Sequence, residues 1–396
     1  MTESLFWIFL ALIAYTYMGY TLLLVVLNFF RMILSPRKKQ DREKTEYPGV
    51  TLLIAAYNER YLIESKIRNS RALNYTSGKL KMLWITDGSD DGSPELLKKY
   101  NDITVLHQPE RRGKTHALNR AMEHINTPFV VFCDANSMLN PDAIRLLIDE
   151  FDDPKVGCVA GEKRIAKSLS EAATGTGEGI YWEYESLIKR VESSFYSALG
   201  AAGELYAIRT ELYEHVPDDM IIDDFVNSML IAKKGYRIRY VPGAYAQEEP
   251  SYNIGEELKR KIRIASGGFQ TLAKYPGLLN IFRYGFLSFE FISHKVLRWA
   301  IVPFAIPLVF FLNLYLCYYT QWHHHVFLVL FSLQILFYLL VILGGLIERR
   351  TVRFKWFYLP FYLIMMNYAQ LTGLVRFLSK RHSVVWEKVK RSDDSG

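Results

Sequence analysis

Residues 82–93 read Met-Leu-Trp-Ile-Thr-Asp-Gly-Ser-Asp-Asp-Gly-Ser. An apolar run of β-formers breaks into a turn of Asp, Gly and Ser, as at the end of a buried strand. The same transition occurs where Val50–Ala56 meets Tyr57-Asn58-Glu59, and where 129–133 meets Asp134-Ala135-Asn136. Further apolar runs lie at 103–107, 156–160 and 237–241. Between several of them, residues 61–73, 94–100, 115–125 and 141–151 carry apolar side chains at helical spacing. Short apolar strands alternating with amphipathic helices predict an α/β domain with a mostly parallel sheet covered on both faces. Ligands of such sheets bind beyond the carboxyl ends of the strands, so the polar residues after each strand are the candidates.

Outside this domain the composition changes. Half of the 396 residues are hydrophobic, yet 22% are charged, and the two are segregated. Residues 5–30, 299–322, 326–347 and 356–375 carry no charge, and each run is about long enough to cross a hydrocarbon core of about 30 Å. The expected organisation is a transmembrane helix in 1–34, a cytoplasmic domain in 35–278, an interfacial helix in 279–298, transmembrane segments in 299–378 and a polar basic tail in 379–396. Residues 279–298 mix aromatics with Arg283, Glu290, His294, Lys295 and Arg298, which suits a helix lying in the interface. The first run is too long for a signal-peptide core and lacks a basic start. Arg31, Arg37, Lys38, Lys39, Arg42 and Lys44 after it place the central domain in the cytoplasm of a multi-pass protein of the cell membrane. Three later crossings would leave the C-terminus outside, whereas Lys380, Arg381, Lys388, Lys390 and Arg391 favour inside; the weakest span is 356–375, with Pro360, Asn367, Gln370 and Gly373. The net charge of +7 is explained by basic residues beside the apolar runs, where they meet anionic lipid, so no nucleic-acid partner is expected. Cys133, Cys158 and Cys317 show no pairing pattern and suit reduced thiols.

Taken alone, the 87–93 loop reads equally as an ordinary turn or as a ligand loop. Asp134 beside Asn136 could hold a divalent cation through oxygen ligands, or cap the helix near Pro141, a role better suited to Asn140. Together, these residues resemble family 2 glycosyltransferases, in particular the membrane-integrated branch with cellulose, chitin, hyaluronan and poly-N-acetylglucosamine synthases. The family's P-x-Y-N-E is matched by Ala55-Ala56-Tyr57-Asn58-Glu59, and its D-D-G-S-x-D by Thr86 to Asp91. Its G-K-x-x-A-L-N is matched by Gly113 to Asn119, its D-x-D by Asp134-Ala135-Asn136, its T-E-D by Ile222-Asp223-Asp224, and its Q/R-x-x-R-W by Arg260-Lys261-Ile262-Arg263-Ile264.

The resemblance implies a Rossmann-like GT-A nucleotide-sugar-binding domain inserted between transmembrane helices. It implies an inverting hexosyltransferase that moves a sugar from a UDP-sugar to a growing β-linked polysaccharide. Donor binding falls to Ala56, Tyr57, Asn58, Glu59, Asp87, Asp91, Lys114, Asp134, Arg260 and Arg263. Catalysis falls to Asp224 as base, with Asp223 and Arg263. Asp134 and Asn136 would hold Mg2+ or Mn2+, and Trp182, Tyr184 and Ile264 would meet the acceptor. Asn136 stands where the family has a carboxylate, and Ile264 where processive members have Trp. The partners implied are the nucleotide-sugar donor, a carbohydrate or lipid-linked acceptor and membrane lipids, with an accessory export subunit undefined. Two other readings stand beside this one: single transfer to a lipid acceptor such as a polyprenyl phosphate or a sphingolipid, and a non-catalytic membrane scaffold. On local grounds Asp223-Asp224 also suits an acidic helix start, and Arg260-Lys261-Arg263 a basic membrane-facing helix. Gly175-Thr176-Gly177-Glu178-Gly179 follows no strand and reads as a loop, not a dinucleotide fingerprint. His323-His324-His325 reads as an exposed loop between two membrane spans, and Asn74-Tyr75-Thr76 as a sequon that a cytoplasmic domain leaves unmodified.

Overall fold

The computed structural model describes residues 1–34, 46–166, 173–251, 253–347 and 355–380, with the backbone alone given for 173–178, 347 and 355–357. The basic residues at 37–44 and 381–391 lie outside the described residues. Eight strands form one sheet: β1 (Val50–Ala56), β2 (Leu80–Asp87), β3 (Ile103–Gln108), β4 (Phe129–Asp134), β5 (Met138–Leu139), β6 (Val156–Ile165), β7 (Tyr206–Arg209) and β8 (Arg237–Glu248). Their spatial order is β3-β2-β1-β4-β7-β6-β8-β5. β1 to β4 pair in parallel, as do β6 and β8. β7 lies antiparallel between β4 and β6, and β5 pairs antiparallel with β8. The sheet is therefore mixed, where the sequence predicted a mostly parallel one. The four residues of β7 are too few to display a period, so only their tertiary pairing reveals the strand.

Side chains of β1 alternate between two cores. Leu53 and Ala55 join Leu83, Ile85, Val130 and Phe132 on one face, while Leu52 and Ile54 join Trp84, Val131 and Cys133 on the other. Both faces are covered, which is why these strands read as unbroken apolar runs. All three cysteines are free and buried.

Among the described residues, three helices are long and apolar enough to cross a membrane: Thr2–Leu34, Phe286–Tyr319 and His325–Leu346. The first, at 33 residues, extends about 50 Å at 1.5 Å per residue, beyond a hydrocarbon core of about 30 Å. Its second half docks on the sheet domain: Leu24 packs on Ile188 and Phe195, and Asn28 Nδ2 donates to the Val191 carbonyl at 2.8 Å. Residues 286–298, expected as a separate interfacial helix, continue into the following span. Their charges turn inward instead of toward headgroups. His294 Nδ1 pairs with Glu192 at 2.7 Å, Arg298 Nη1 with Glu185 at 3.1 Å, and Lys295 also reaches Glu185.

The helix Lys355–Leu378 runs beside the helix Ile254–Lys274. Tyr358 and Tyr362 pack near Ile254 and Leu258, and one end of the contact is tighter: a Cβ added at Gly373 would lie 2.5 Å from Ala265 Cβ. Two local expectations change. Residues 175–179, read as a loop, lie inside the helix Ala173–Phe195; the cost of glycine there, about 1 kcal/mol each, is outweighed by the long packed helix that follows. Asn140 does not cap a helix; its amide bridges to β8, accepting from Tyr245 N at 2.8 Å and donating to the Gly243 carbonyl at 3.1 Å. His323 and His324 lie exposed in the short loop between two apolar helices, as expected, and His325, also exposed, opens the second.

Candidate active site

The strand-end loops are laced together. Asn58 sits at φ +53°, which turns its side chain back onto the neighbouring loop: its Nδ2 donates to Asp90 at 2.8 Å and its Oδ1 accepts from Asp90 N at 3.0 Å. Gly88, at φ +66°, lets the two loops approach closely: a Cβ added there would lie 2.8 Å from Arg111 Cβ. The Arg111 guanidinium in turn lies 3.8 Å over the Tyr57 ring. Ala56 is buried at the end of β1, and Glu59 precedes the helix Arg60–Arg71. Asp87 accepts from the backbone N–H of Arg112 at 2.9 Å and of Gly113 at 2.7 Å, and each oxygen retains a second lone pair.

Asp91 is occupied differently from the expectation of a donor contact. It accepts from Arg60 N, Ser93 N and Ser93 Oγ. Burial raises its carboxyl, but these hydrogen bonds outweigh burial and hold it below its ordinary value. It braces the loop.

The chemistry concentrates around Lys114, the first residue of a helix after Gly113. Lys114 Nζ lies 2.5 Å from Asp134 Oδ1, at the end of β4. Burial pulls the ammonium down, but Asp134, Asp223 and Asp224 outweigh it and raise the net value. Asp223 and Asp224 open the helix Asp223–Lys233. Burial raises Asp223, with Lys114 opposing, Asp134 adding and Arg263 opposing. Burial, then the Asp223 charge, push Asp224 up to about 6, against Lys114. That range suits a group that takes a proton near neutrality. Gly203 makes the approach possible: a Cβ there would sit 3.0 Å from Lys114 Nζ and 3.3 Å from Asp224 Oδ2.

The structure thus brings Lys114, Asp134, Asp223, Asp224 and Arg263 together. Arg260 is turned elsewhere: it forks onto buried Glu257 at 3.0 and 3.1 Å, because a carboxylate three residues back on the same helix competes for it. Ile264 is 37% exposed on that helix. Trp182 faces two cations, Lys163 Nζ at 5.1 Å and Lys261 Nζ at 5.2 Å from its ring. Tyr184 is drawn instead to the membrane helices, donating to the Tyr17 carbonyl at 2.6 Å and accepting from Arg298 at 2.9 Å.

Sequence reasoning missed Lys163, Gly203, Glu204 and Glu248. Lys163 Nζ lies 2.5 Å from Glu204 and 2.8 Å from Glu248; burial raises Asp134 against the opposing Lys114, and both carboxylates add to that rise. β6 and β8 were expected to stop at Ala160 and Val241, so the charged residues on their extensions were passed over.

No group of three or more metal-ligating side chains is preformed among the described residues. The charges nonetheless suit a divalent cation. Among the described residues around the site, Asp134, Asp223, Asp224, Glu204 and Glu248 face Lys114, Lys163 and Arg263. Carboxylates are in excess, and Asp134 with the neighbouring Asn136 supplies hard oxygen atoms.

Residues 51–215 match the family described as Glycosyl transferase family 2. The chain is 33% identical over 251 residues to the poly-beta-1,6-N-acetyl-D-glucosamine synthase of Staphylococcus aureus strain COL, covering 61% of this chain and 59% of the relative. It is 28% identical over 247 residues to the synthase of the same name from Staphylococcus epidermidis, covering 60% of this chain and 58% of that protein. The alignments therefore span under two thirds of these relatives. Among solved structures, the chain is similar to the mannosyltransferase PcManGT from Pyrobaculum calidifontis in complex with GDP-Man and Mn2+, with a TM-score of 0.67 and 23% identity over 95% of this chain and 99% of that one. That likeness concerns the fold. Residues 51–215 are thus similar to the family 2 glycosyltransferases, and the chain has a GT-A fold flanked by apolar helices.

Proposed function

We propose that the chain is an inverting, membrane-bound glycosyltransferase that extends a β-linked polysaccharide from a UDP-sugar. The observation that carries this reading is the convergence of Lys114, Asp134, Asp223 and Asp224 at the strand ends, with Asp224 raised to about 6 by burial and by Asp223. Asp87 and Tyr57 face the nucleoside. Lys114 and Arg263 meet the diphosphate as fixed cations, Arg263 offering a planar fork. Asp224 takes the proton from the acceptor hydroxyl as it attacks the anomeric carbon from the face opposite the diphosphate, contributing about 10²–10⁴-fold. A single displacement inverts the centre, so an α-linked donor yields a β-linkage, and no carboxylate nucleophile is required.

Asp134 and Asn136 are the residues that would hold Mg2+ or Mn2+, with donor oxygens completing the coordination, since such ions are often bound by one or two carboxylates plus substrate phosphates. The cation would neutralise charge on the departing diphosphate. Trp182 offers a flat face for the acceptor sugar.

The N-terminus lies outside and the catalytic domain in the cytoplasm. Phe286–Tyr319 and His325–Leu346 cross as a hairpin. The helix Lys355–Leu378 lies along the interface beside Ile254–Lys274, so the C-terminus is on the side of the catalytic domain. This reading agrees with the basic residues of the tail.

The test is incubation of purified protein with a panel of nucleotide sugars, followed by product sizing. Long β-linked products from one UDP-sugar support the reading; one sugar added per lipid acceptor, or no transfer from any UDP-sugar, overturns it.

A further inference from the structure

A cavity of about 450 Å³ lies among the helices on the membrane side of the domain. Its walls come from the N-terminal helix, the helix Ala173–Phe195, residues 295–299 and the helix Lys355–Leu378. The lining is mostly apolar: aliphatic at Met18, Ile180, Leu363 and Met366, and largely aromatic elsewhere. The cavity opens outward past Met18, which is 75% exposed, and its volume is within the size range of small-molecule sites.

The polar groups at its edge are incomplete. Asn367 is 6% exposed; its Nδ2 donates to Tyr17 Oη and to the Leu363 carbonyl, both at 2.8 Å, while its Oδ1 receives no donor. Gln370 Oε1, one turn further along, is also buried without a donor. Arg298 places Nη1 on Glu185 at 3.1 Å and Nη2 on Tyr184 at 2.9 Å, and its buried Nε has no acceptor. Lys295 and Arg298 share the single carboxylate of Glu185, which leaves positive charge in excess at this end. Tyr17 connects the two sets: its hydroxyl meets Asn367, and its ring lies 5.9 Å from the Arg298 guanidinium.

An occupant must therefore offer hydroxyl donors, an anionic oxygen and an apolar body. We propose that the cavity binds an anionic phospholipid with free hydroxyls on its headgroup: one alkyl chain among Met18, Ile180, Leu363 and Met366, the phosphate at Arg298 and the hydroxyls at Asn367 and Gln370. A saccharide chain would satisfy the two amide oxygens but press hydroxyls against apolar walls, at a desolvation cost. A free phosphate would meet Arg298 and leave the apolar volume unfilled.

The experiment uses full-length protein reconstituted in vesicles of equal phosphatidylglycerol and phosphatidylcholine, re-extracted in mild detergent, with the retained lipid counted by mass spectrometry. About one phosphatidylglycerol per chain is expected, in preference to phosphatidylcholine. Leu363→Trp, which fills the cavity, should lower retention about fivefold or more. Gln370→Leu should erase the headgroup preference while lipid is still retained. If Leu363→Trp does not fold, Met366→Phe is the substitute, with thermal unfolding checking the fold. Absence of retained lipid, unchanged retention in the filled variant, displacement by soluble glycerophosphoglycerol, or a saccharide recovered in place of lipid would each overturn the proposal. No sugar donor is present, so failure here leaves the transferase reading intact.

Discussion

Gly373→Ala adds one methyl group where two helices meet. The new Cβ would lie 2.5 Å from Ala265 Cβ, 2.9 Å from Ser266 N and 3.0 Å from the Ile262 carbonyl oxygen. Carbon atoms in contact sit at about 3.5–4.0 Å, so the helices must part by roughly 1 Å. None of the three atoms is the tip of a flexible side chain, so no rotamer change relieves the contact. Two effects of opposite sign compete. Alanine gains about 1 kcal/mol over glycine in a helix interior, whereas overpacking costs about 1–3 kcal/mol. With backbone atoms as the obstacle, the contact wins, and the protein is destabilised. The same displacement acts on Arg263, which stands between Ile262 and Ser266, and a misplacement of about 1 Å can cost up to about 10²-fold in rate. The assay is thermal unfolding in detergent beside initial rates of UDP release. The expected outcome is a lower unfolding temperature and turnover reduced about tenfold or more. A variant as stable as the parent or more so, with turnover within about twofold, would refute this account of how the last helix is docked.

The pH–rate profile should carry an acid limb near 6, set by Asp224. A carboxyl raised in the folded state binds its proton more readily there than when unfolded, so acidification toward pH 5 relieves a burial cost while removing the base; circular dichroism should show the fold intact as the rate falls, and a flat profile down to pH 5 contradicts the assignment. Chelation should abolish transfer and millimolar Mg2+ or Mn2+ restore it; full activity in excess chelator would leave the diphosphate to Lys114 and Arg263 alone. Ile264→Trp should lengthen the products, because an aromatic face on this partly exposed position holds a sugar that isoleucine does not. The check is a product-length distribution at low enzyme and excess primer, and high-molecular-mass polymer from the unmodified chain, with most primer left unextended, would sink that argument.

Apolar strands ending in Asp, Gly and Asn were legible because burial on both faces of a sheet writes unbroken apolar runs. Asp87, Lys114, Asp134 and Asp224 stand on strand ends or helix starts for that reason. β7 was not legible: four residues held by neighbours carry no period of their own. Lys163 and Glu248 were hidden because their charges do not look like strand, and Glu204 because it sits in the turn before β7; only their mutual neutralisation allows them inside. The same physics hid the pairing within 286–298. There His294, Lys295 and Arg298, whose charges suggested a headgroup contact, are paired with Glu185 and Glu192 on another helix, a partnership that local sequence does not display. Arg260 and Arg263 look equivalent in the chain, yet only Glu257, at the spacing to capture Arg260, separates their fates.

The central claim is that Asp224 is the base of an inverting transfer whose donor is held by other residues. Asp224→Asn keeps the shape of the site and removes the proton acceptor. The most direct measurement follows single-turnover transfer from a UDP-sugar by NMR, reading the anomeric configuration of the product, alongside calorimetric binding of the donor to the parent and the variant. The account predicts a β-linked product from an α-linked donor, turnover in Asp224→Asn below about one hundredth of the parent, and donor affinity unchanged within about twofold. An α-linked product, or a variant that keeps more than that rate while binding donor normally, would contradict it.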